Sequence, residues 1–215
     1  MTKRKMKYFL FGLLLIMASC VSAQETYEAV DLGLSVKWAV HNMGAELASE
    51  YGSYYAWGEM KEKTRYWFDT YEFADTASCE QCVMDLGPSI CGTAYDVARQ
   101  LWKGEWRLPT DEEILELRNN CTWEWTSLDG VNGFMVTGPN GNRIFLPAGG
   151  EIINDKNESL GNTCSYWGGT KSFIRNAHTI SAFYDEENGR IKVMCWGDYR
   201  PFGRLVRPVM DNKPE

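Results

Sequence analysis

The sequence predicts an α+β domain, and three observations lead there. Turn-forming Gly, Pro, Asn and Asp recur about every ten to fifteen residues between short aromatic or β-branched runs, the pattern of many short strands. Only two segments carry helical periodicity. No low-complexity tract, heptad pattern or long linker follows the leader, so one domain accounts for residues 24–211, with a tail at 212–215.

The first expected strands are Ser35 to Val40 and Tyr54 to Trp57, each rich in residues that suit a pleated surface. The first helix is expected where Ala94, Val97, Ala98 and Leu101 fall at i, i+3, i+4 and i+7 and would form one apolar stripe. The second begins at Thr110, whose hydroxyl can cap the helix while Glu113 reaches back to the cap amide. Asp111, Glu112 and Glu113 suit the positive end of its dipole, and Ile114, Leu117 and Cys121 supply its buried side.

Strands follow at Thr122 to Thr126, Gly133 to Thr137 and Arg143 to Leu146. Gly138-Pro139-Asn140-Gly141-Asn142 joins the last two as a tight reversal. After a Gly-, Asn- and Asp-rich loop from Gly149 to Asn162, strands are expected at Tyr166 to Thr170, Ala177 to Tyr184 and Arg190 to Trp196. Glu187-Asn188-Gly189 turns between the last two, and Gly203 to Val209 reads as a closing strand. Trp-Gly recurs at Trp57, Trp167 and Trp196, but the intervals of 110 and 29 residues share no period, which removes a propeller or other repeat.

The leader carries Lys3, Arg4, Lys5 and Lys7 ahead of an apolar run from Tyr8 to Ala18, and reads as a signal segment over residues 1–23. A membrane-spanning helix needs about 20 apolar residues, and polar Ser19, Ser22 and Gln24 arrive too early for one. Two processing sites compete. Met17-Ala18-Ser19-Cys20 looks like a lipobox, with Cys20 acylated and tethered to a membrane; Val21-Ser22-Ala23 before Gln24 looks like an ordinary cleavage site. The expected location is therefore outside the cytoplasm, as an outer-membrane or surface lipoprotein or as a secreted or periplasmic domain. Removing the four leader bases leaves 18 Lys+Arg against 29 Asp+Glu, a formal charge of −11. That balance argues against a nucleic-acid partner, which needs clustered bases.

Six cysteines lie beyond Cys20: Cys79, Cys82, Cys91, Cys121, Cys164 and Cys195. In an oxidising compartment they permit up to three bonds, and about 15 connectivities are open. The first three fall within thirteen residues and suggest a local cross-link. Cys79-Glu80-Gln81-Cys82 also has the spacing of a redox or zinc pair, but no second such pair, histidine pair or βαβ pattern accompanies it, so a structural disulfide is the preferred reading. No metal or cofactor is expected.

Several strings taken in order resemble the Fibrobacter succinogenes major paralogous domain family. They are Tyr27 to Ala39, Tyr54-Tyr55-Ala56-Trp57-Gly58-Glu59, Trp106-Arg107-Leu108-Pro109-Thr110, Asn119 to Trp125 and the closing Gly203 to Val209 run, which together span essentially the whole mature chain. That family is similar to C-type lectin-like folds and to the formylglycine-generating group. The resemblance implies N- and C-terminal strands side by side, two helices flanking a small twisted, mainly antiparallel sheet, a loop-rich face and export to a bacterial surface. It implies no catalytic residues. Asp75-Thr76-Ala77 looks like an O-glycosylation acceptor of such bacteria, at Thr76.

The chain departs from the family pattern at Lys103-Gly104-Glu105, in place of Gly-Gly-Ser, and at Gly168-Gly169, in place of Ser-Ser. Cys164 and Cys195 are also unusual. They fall on strands read as adjacent, which brings them close in space, where a bond needs a Cβ separation of about 4.5 Å or less.

Chemistry is sparsely signalled. The chain has two histidines, His41 and His178, read as ordinary strand residues, and no HExxH, G-x-S-x-G or Walker loop. The closely spaced C-terminal cysteine pair of formylglycine chemistry is missing, and Asp185-Glu186-Glu187 sits in an expected hairpin tip. Nine Trp and eleven Tyr exceed what one core needs, and such rings suit recognition of sugars or glycoproteins. The resemblance to C-type lectin-like folds, whose variable ligand sites lie toward the C-terminal end, implies a ligand face of Tyr166, Trp167, Tyr184, Trp196, Asp198, Tyr199 and Arg200. Calcium-dependent sugar binding has no support, since Glu-Pro-Asn, Gln-Pro-Asp and Trp-Asn-Asp are all absent. The sequence thus points to a binding module, with a structural or adhesion protein, or a degenerate enzyme of the formylglycine group, as the alternatives.

Overall fold

The computed structural model describes residues 27–212, so the leader, Cys20 and the start of the mature chain lie outside the described residues. Among those described, no helix is long and apolar enough to cross a membrane. The architecture is α+β, with small antiparallel sheets and two helices.

Strands β1 (Ala29–Asp31) and β2 (Val36–Ala39) form a hairpin whose second strand also pairs with β11 (Val209–Asp211). The ends of the domain therefore meet on β2, one on each side, rather than pairing directly with each other. Strands β3 (Thr122–Leu128), β4 (Val131–Thr137) and β5 (Arg143–Pro147) make a meander, and β6 (Glu151–Ile153) with β7 (Lys156–Glu158) a short ribbon. That ribbon occupies the stretch read from sequence as loop. The fourth sheet, in the order β10-β9-β8, contains β8 (Thr163–Phe173), β9 (Asn176–Asp185) and β10 (Arg190–Tyr199).

The turns and caps have local causes. In the 138–142 reversal, Gly138 N–H donates to Asn142 O at 2.9 Å and Gly141 takes a positive φ of 87°. A side chain at Gly138 would stand 2.0 Å from Leu32 O, so the hairpin lies directly against the β1–β2 connection. Helix α2 (Asp111–Asn120) has the expected capping box between Thr110 and Glu113, and Glu113 is further held by Arg107 at 2.7 Å. Helix α1 (Val97–Leu101) is shorter than its periodicity implied. The carboxylate of buried Asp96 accepts the amides of Ala98 and Arg99 and starts the helix after Ala94, while Lys103, at φ 62°, follows its end. Only Val97 and Ala98 of the expected stripe are buried; Ala94 and Leu101 face solvent.

β8 is covered on both faces. Cys164 and Tyr166 point into a core with Trp38, Ile114, Phe134 and Ile180, whereas Trp167 joins a second with Trp57, Trp102, Trp106 and Val206. A third, smaller cluster gathers Tyr66, Phe68 and Tyr71.

Between β10 and β11, residues 200–208 form no extended sheet strand; of the Gly203 to Val209 run read as a strand, only Val209 enters β11. The backbone of the segment 200–209 bonds in turn with Trp57, Ile152, Tyr55, Ser165 and Trp167, Met43, Ala39 and Arg107. Arg200, Arg204 and Arg207 are all fully buried. Arg207 donates to Ala39 O, Val40 O, Phe145 O and Asn42 Oδ1, at 2.6–3.0 Å, and so clamps the N-terminal hairpin to the meander.

The expected local cross-link is present, but the expected pairing of Cys164 with Cys195 is not. Cys79 and Cys82 are bonded, whereas Cys91, Cys121, Cys164 and Cys195 are free. Cys164 pairs in register with Ala182 and Cys195 with Ile180, on the two opposite sides of β9. Two strand spacings, roughly 9–10 Å, separate them and preclude a bond.

The Gly168-Gly169 pair is fitted to this packing. A Cβ at Gly169 would lie 2.4 Å from Cys91 Sγ, and one at Gly168 2.5 Å from Ile114 Cδ1. Gly169→Ser is therefore expected to lower stability by about 1–3 kcal/mol through overpacking. Adding Cys91→Ala should recover part of the loss, as read by urea unfolding of both variants; an additive double variant would contradict this contact.

Candidate functional site

Trp196 and Asp198 lie two residues apart on β10 and so share one face of the sheet. Trp196 is one of the few exposed large aromatic side chains, at 39%. From the seam below comes Arg204, lying over the Trp167 ring at 5.2 Å and bonded through Nη1 to Ser165 Oγ. Ser165 Oγ in turn meets Ser181 Oγ at 3.0 Å. Arg204 Nη2 donates to Asp198 Oδ2 at 2.5 Å and also to Glu151 Oε2 on β6.

Two carboxylates, each about a quarter exposed, thus share one nitrogen of a cation that is wholly buried. The cluster of three carries a net formal charge of −1. Asp198 is oriented further by the Tyr199 amide, which donates to its Oδ1 at 2.7 Å. Burial pushes the Glu151 carboxyl above its ordinary range; Arg204 opposes the rise, and the neighbouring negative charge of Asp198 adds to it.

This geometry suits recognition better than hydrolysis. A glycosidase pair needs its carboxyl groups about 5–9.5 Å apart with the scissile bond between them. Here the guanidinium fills that space and bonds to both oxygens. Both carboxylates reach solvent and can accept further hydrogen bonds from hydroxyl or ammonium groups, with the partly exposed Trp196 indole two residues from Asp198 on the same strand face.

Of the seven residues expected on the ligand face, Trp196 and Asp198 come together here. Tyr166, Trp167 and Arg200 do not contribute, since each is at most 2% exposed. The tyrosine hydroxyl meets Asn42, the Trp167 indole donates to Tyr55 O, and Arg200 lies 4.6 Å over Trp57 with Nη1 on Met84 O and Ile174 O. Tyr184 is on the opposite sheet face, stacked at 6.1 Å on Trp125. Tyr199 is taken up by Phe68 and Phe202. Glu151 and Arg204 were not foreseen. Arg204 stood in the closing run read as a strand, and Glu151 gave no signal within its Gly-rich loop.

The other marked residues lie elsewhere. Thr76, Cys79 and Gln81 are exposed on one loop, and Cys91 is packed below Gly169. His178 Nδ1 contacts Asp111 Oδ1 at 3.0 Å, and Asp185 is held down to about 2 by Lys192 and Asn188 at the acidic hairpin tip. A cleft of about 470 Å³ opens beside Glu59, Lys61, Glu62 and Thr70, but its inner carboxylate, Glu59, is already taken by Lys63 and the Glu72 amide. Among the described residues, no three His, Cys, Asp or Glu side chains are placed to hold a metal ion. No protein-family profile, curated protein or solved structure matches the chain.

Because Asp198 is bonded to the same cation, its negative charge acts on the Glu151 carboxyl. Carbon-detected NMR is expected to place the Glu151 midpoint above 4.5, and Asp198→Asn should bring it down. The raised value means that folding favours protonated Glu151. Its contribution to stability is then full below pH 4.5 and is lost as pH rises through the folded-state value. A midpoint at or below 4.5 would contradict this reading.

Proposed function

We propose that the chain is an exported, non-catalytic binding module of the Fibrobacter succinogenes major paralogous domain family with a C-type lectin-like arrangement. Its contact surface is Trp196 with the Asp198–Glu151 carboxylates, and its ligand is carbohydrate or the glycan of a surface glycoprotein. The observation that carries this reading is an exposed indole near two carboxylates fixed by buried Arg204, so that the acceptors are oriented before a ligand arrives. A sugar offers an apolar face to the indole and hydroxyl donors to the carboxylates. The meeting of both ends of the domain on β2 supports the family reading.

Glycan-array binding followed by calorimetry tests the site. Trp196→Ala and Asp198→Asn are each expected to weaken binding roughly tenfold, about 1.4 kcal/mol. Tyr184→Ala, on the opposite face, should leave it unchanged. Equal binding by all three variants would remove this surface from consideration. For location, we propose acylation at Cys20, with cleavage before Gln24 as the alternative; the intact mass of native protein separates an acylated Cys20 terminus from a free Gln24.

A further inference from the structure

We propose that the Cys79–Cys82 bond is a thiol–disulfide exchange site, open to attack by the dithiol of a partner protein, rather than a staple of the fold. The proposal is independent of the glycan reading and rests on how the loop around the bond is held.

The base of the loop is fixed without the sulfurs. Val83 is buried in the third cluster, Met84 N–H donates to Phe73 O at 2.8 Å, and Met84 O accepts from buried Arg200. Ala74 and Val83 form a bridge above it, and the Asp75 amide donates to Cys82 O at 2.7 Å. Within the turn, Ser78 N–H reaches Asp75 O and Cys82 N–H reaches Cys79 O, at 3.0 and 3.1 Å. Hydrogen bonds thus already close the loop that the disulfide spans. A cross-link over a separation of only three residues removes little freedom from the unfolded chain. The bond is therefore nearly redundant as a structural element.

It is also bare. Residues 76–81 are all exposed, and neither sulfur joins any of the three core clusters. Cys79 is the more open of the two; Cys82 is half-buried and its backbone is bonded on both sides. An incoming thiolate would attack Cys79 Sγ. The Cys79–Cys82 bond breaks, its electron pair leaves on Cys82 Sγ, and that sulfur takes up a proton. The partner's second thiol, as thiolate, then attacks the mixed disulfide and releases Cys79, which is protonated in turn. Two electrons and two protons pass to the chain, and the partner is left with a disulfide.

The four free cysteines provide an internal control. Burial pushes their thiols up to about 11 or 12, so they remain protonated near neutrality.

The experiment treats the folded mature chain with millimolar dithiothreitol in the absence of denaturant, followed by alkylation, peptide mass spectrometry and circular dichroism. Cys79 and Cys82 should become alkylated at least about tenfold faster than the other four. The fold should persist with its melting point within about two degrees of the oxidised form, and oxidised glutathione should restore the bond. Cys82→Ser should form a mixed disulfide with glutathione at Cys79, faster than Cys79→Ser forms one at Cys82. Resistance to reduction until denaturant is added, a melting point lowered by many degrees, or no mixed disulfide at Cys79 would each overturn the proposal.

Discussion

The segment from Arg200 to Val209 forms no strand of its own until its last residue enters β11, yet the rest of the domain is assembled around it. A strand satisfies its backbone on one or two neighbours. This segment spreads its amides and carbonyls over elements from residues 39 to 175 in sequence. Each such bond contributes only about 0.5–1.5 kcal/mol net, but a buried donor or acceptor left without a partner costs about 1–3 kcal/mol. Displacing the segment would strand groups in several elements at once, and that shared penalty ties three of the four small sheets together.

Its arginines extend the same constraint to side chains. Arg207 is met by three carbonyls and an amide oxygen rather than a carboxylate, so its charge is solvated by dipoles drawn from the N-terminal part of the domain and from the meander. Burial lowers its pKa from the ordinary value. Arg200 is seated on Trp57 and on the carbonyls of two loops. Arg204 alone engages carboxylates, and these reach solvent. The candidate site is thus the place where the internal scaffold meets the surface, and its acceptors are oriented by the element that holds the fold together.

What could be read from sequence follows the range of the forces involved. The 138–142 reversal, the Thr110–Glu113 cap and the turn at Gly189 are set by residues a few positions apart, and they stand as expected. Trp167 and Tyr166 are expected on the surface only through the resemblance to C-type lectin-like folds, whose variable ligand sites lie in that part of the chain. Their burial depends on α2 covering one face of β8 and the Trp57 segment covering the other, which no local pattern reveals. Cys164 and Cys195 failed to pair for a topological reason, since β9 lies between their strands. Glu151 acquires its role only because β6 comes to rest beside Gly203, a contact across fifty residues of chain.

Native-state hydrogen exchange tests the central claim most directly. The amides of Ala39, Met43, Tyr55, Trp57, Arg107, Ile152 and Trp167 each donate to the 200–209 segment, and the account requires them to open together, with a common free energy equal to that of global unfolding. If the amides of the N-terminal hairpin, or those of Tyr55 and Trp57, exchange through a lower-energy opening while the others remain protected, the segment is not the element that binds the domain into one cooperative unit.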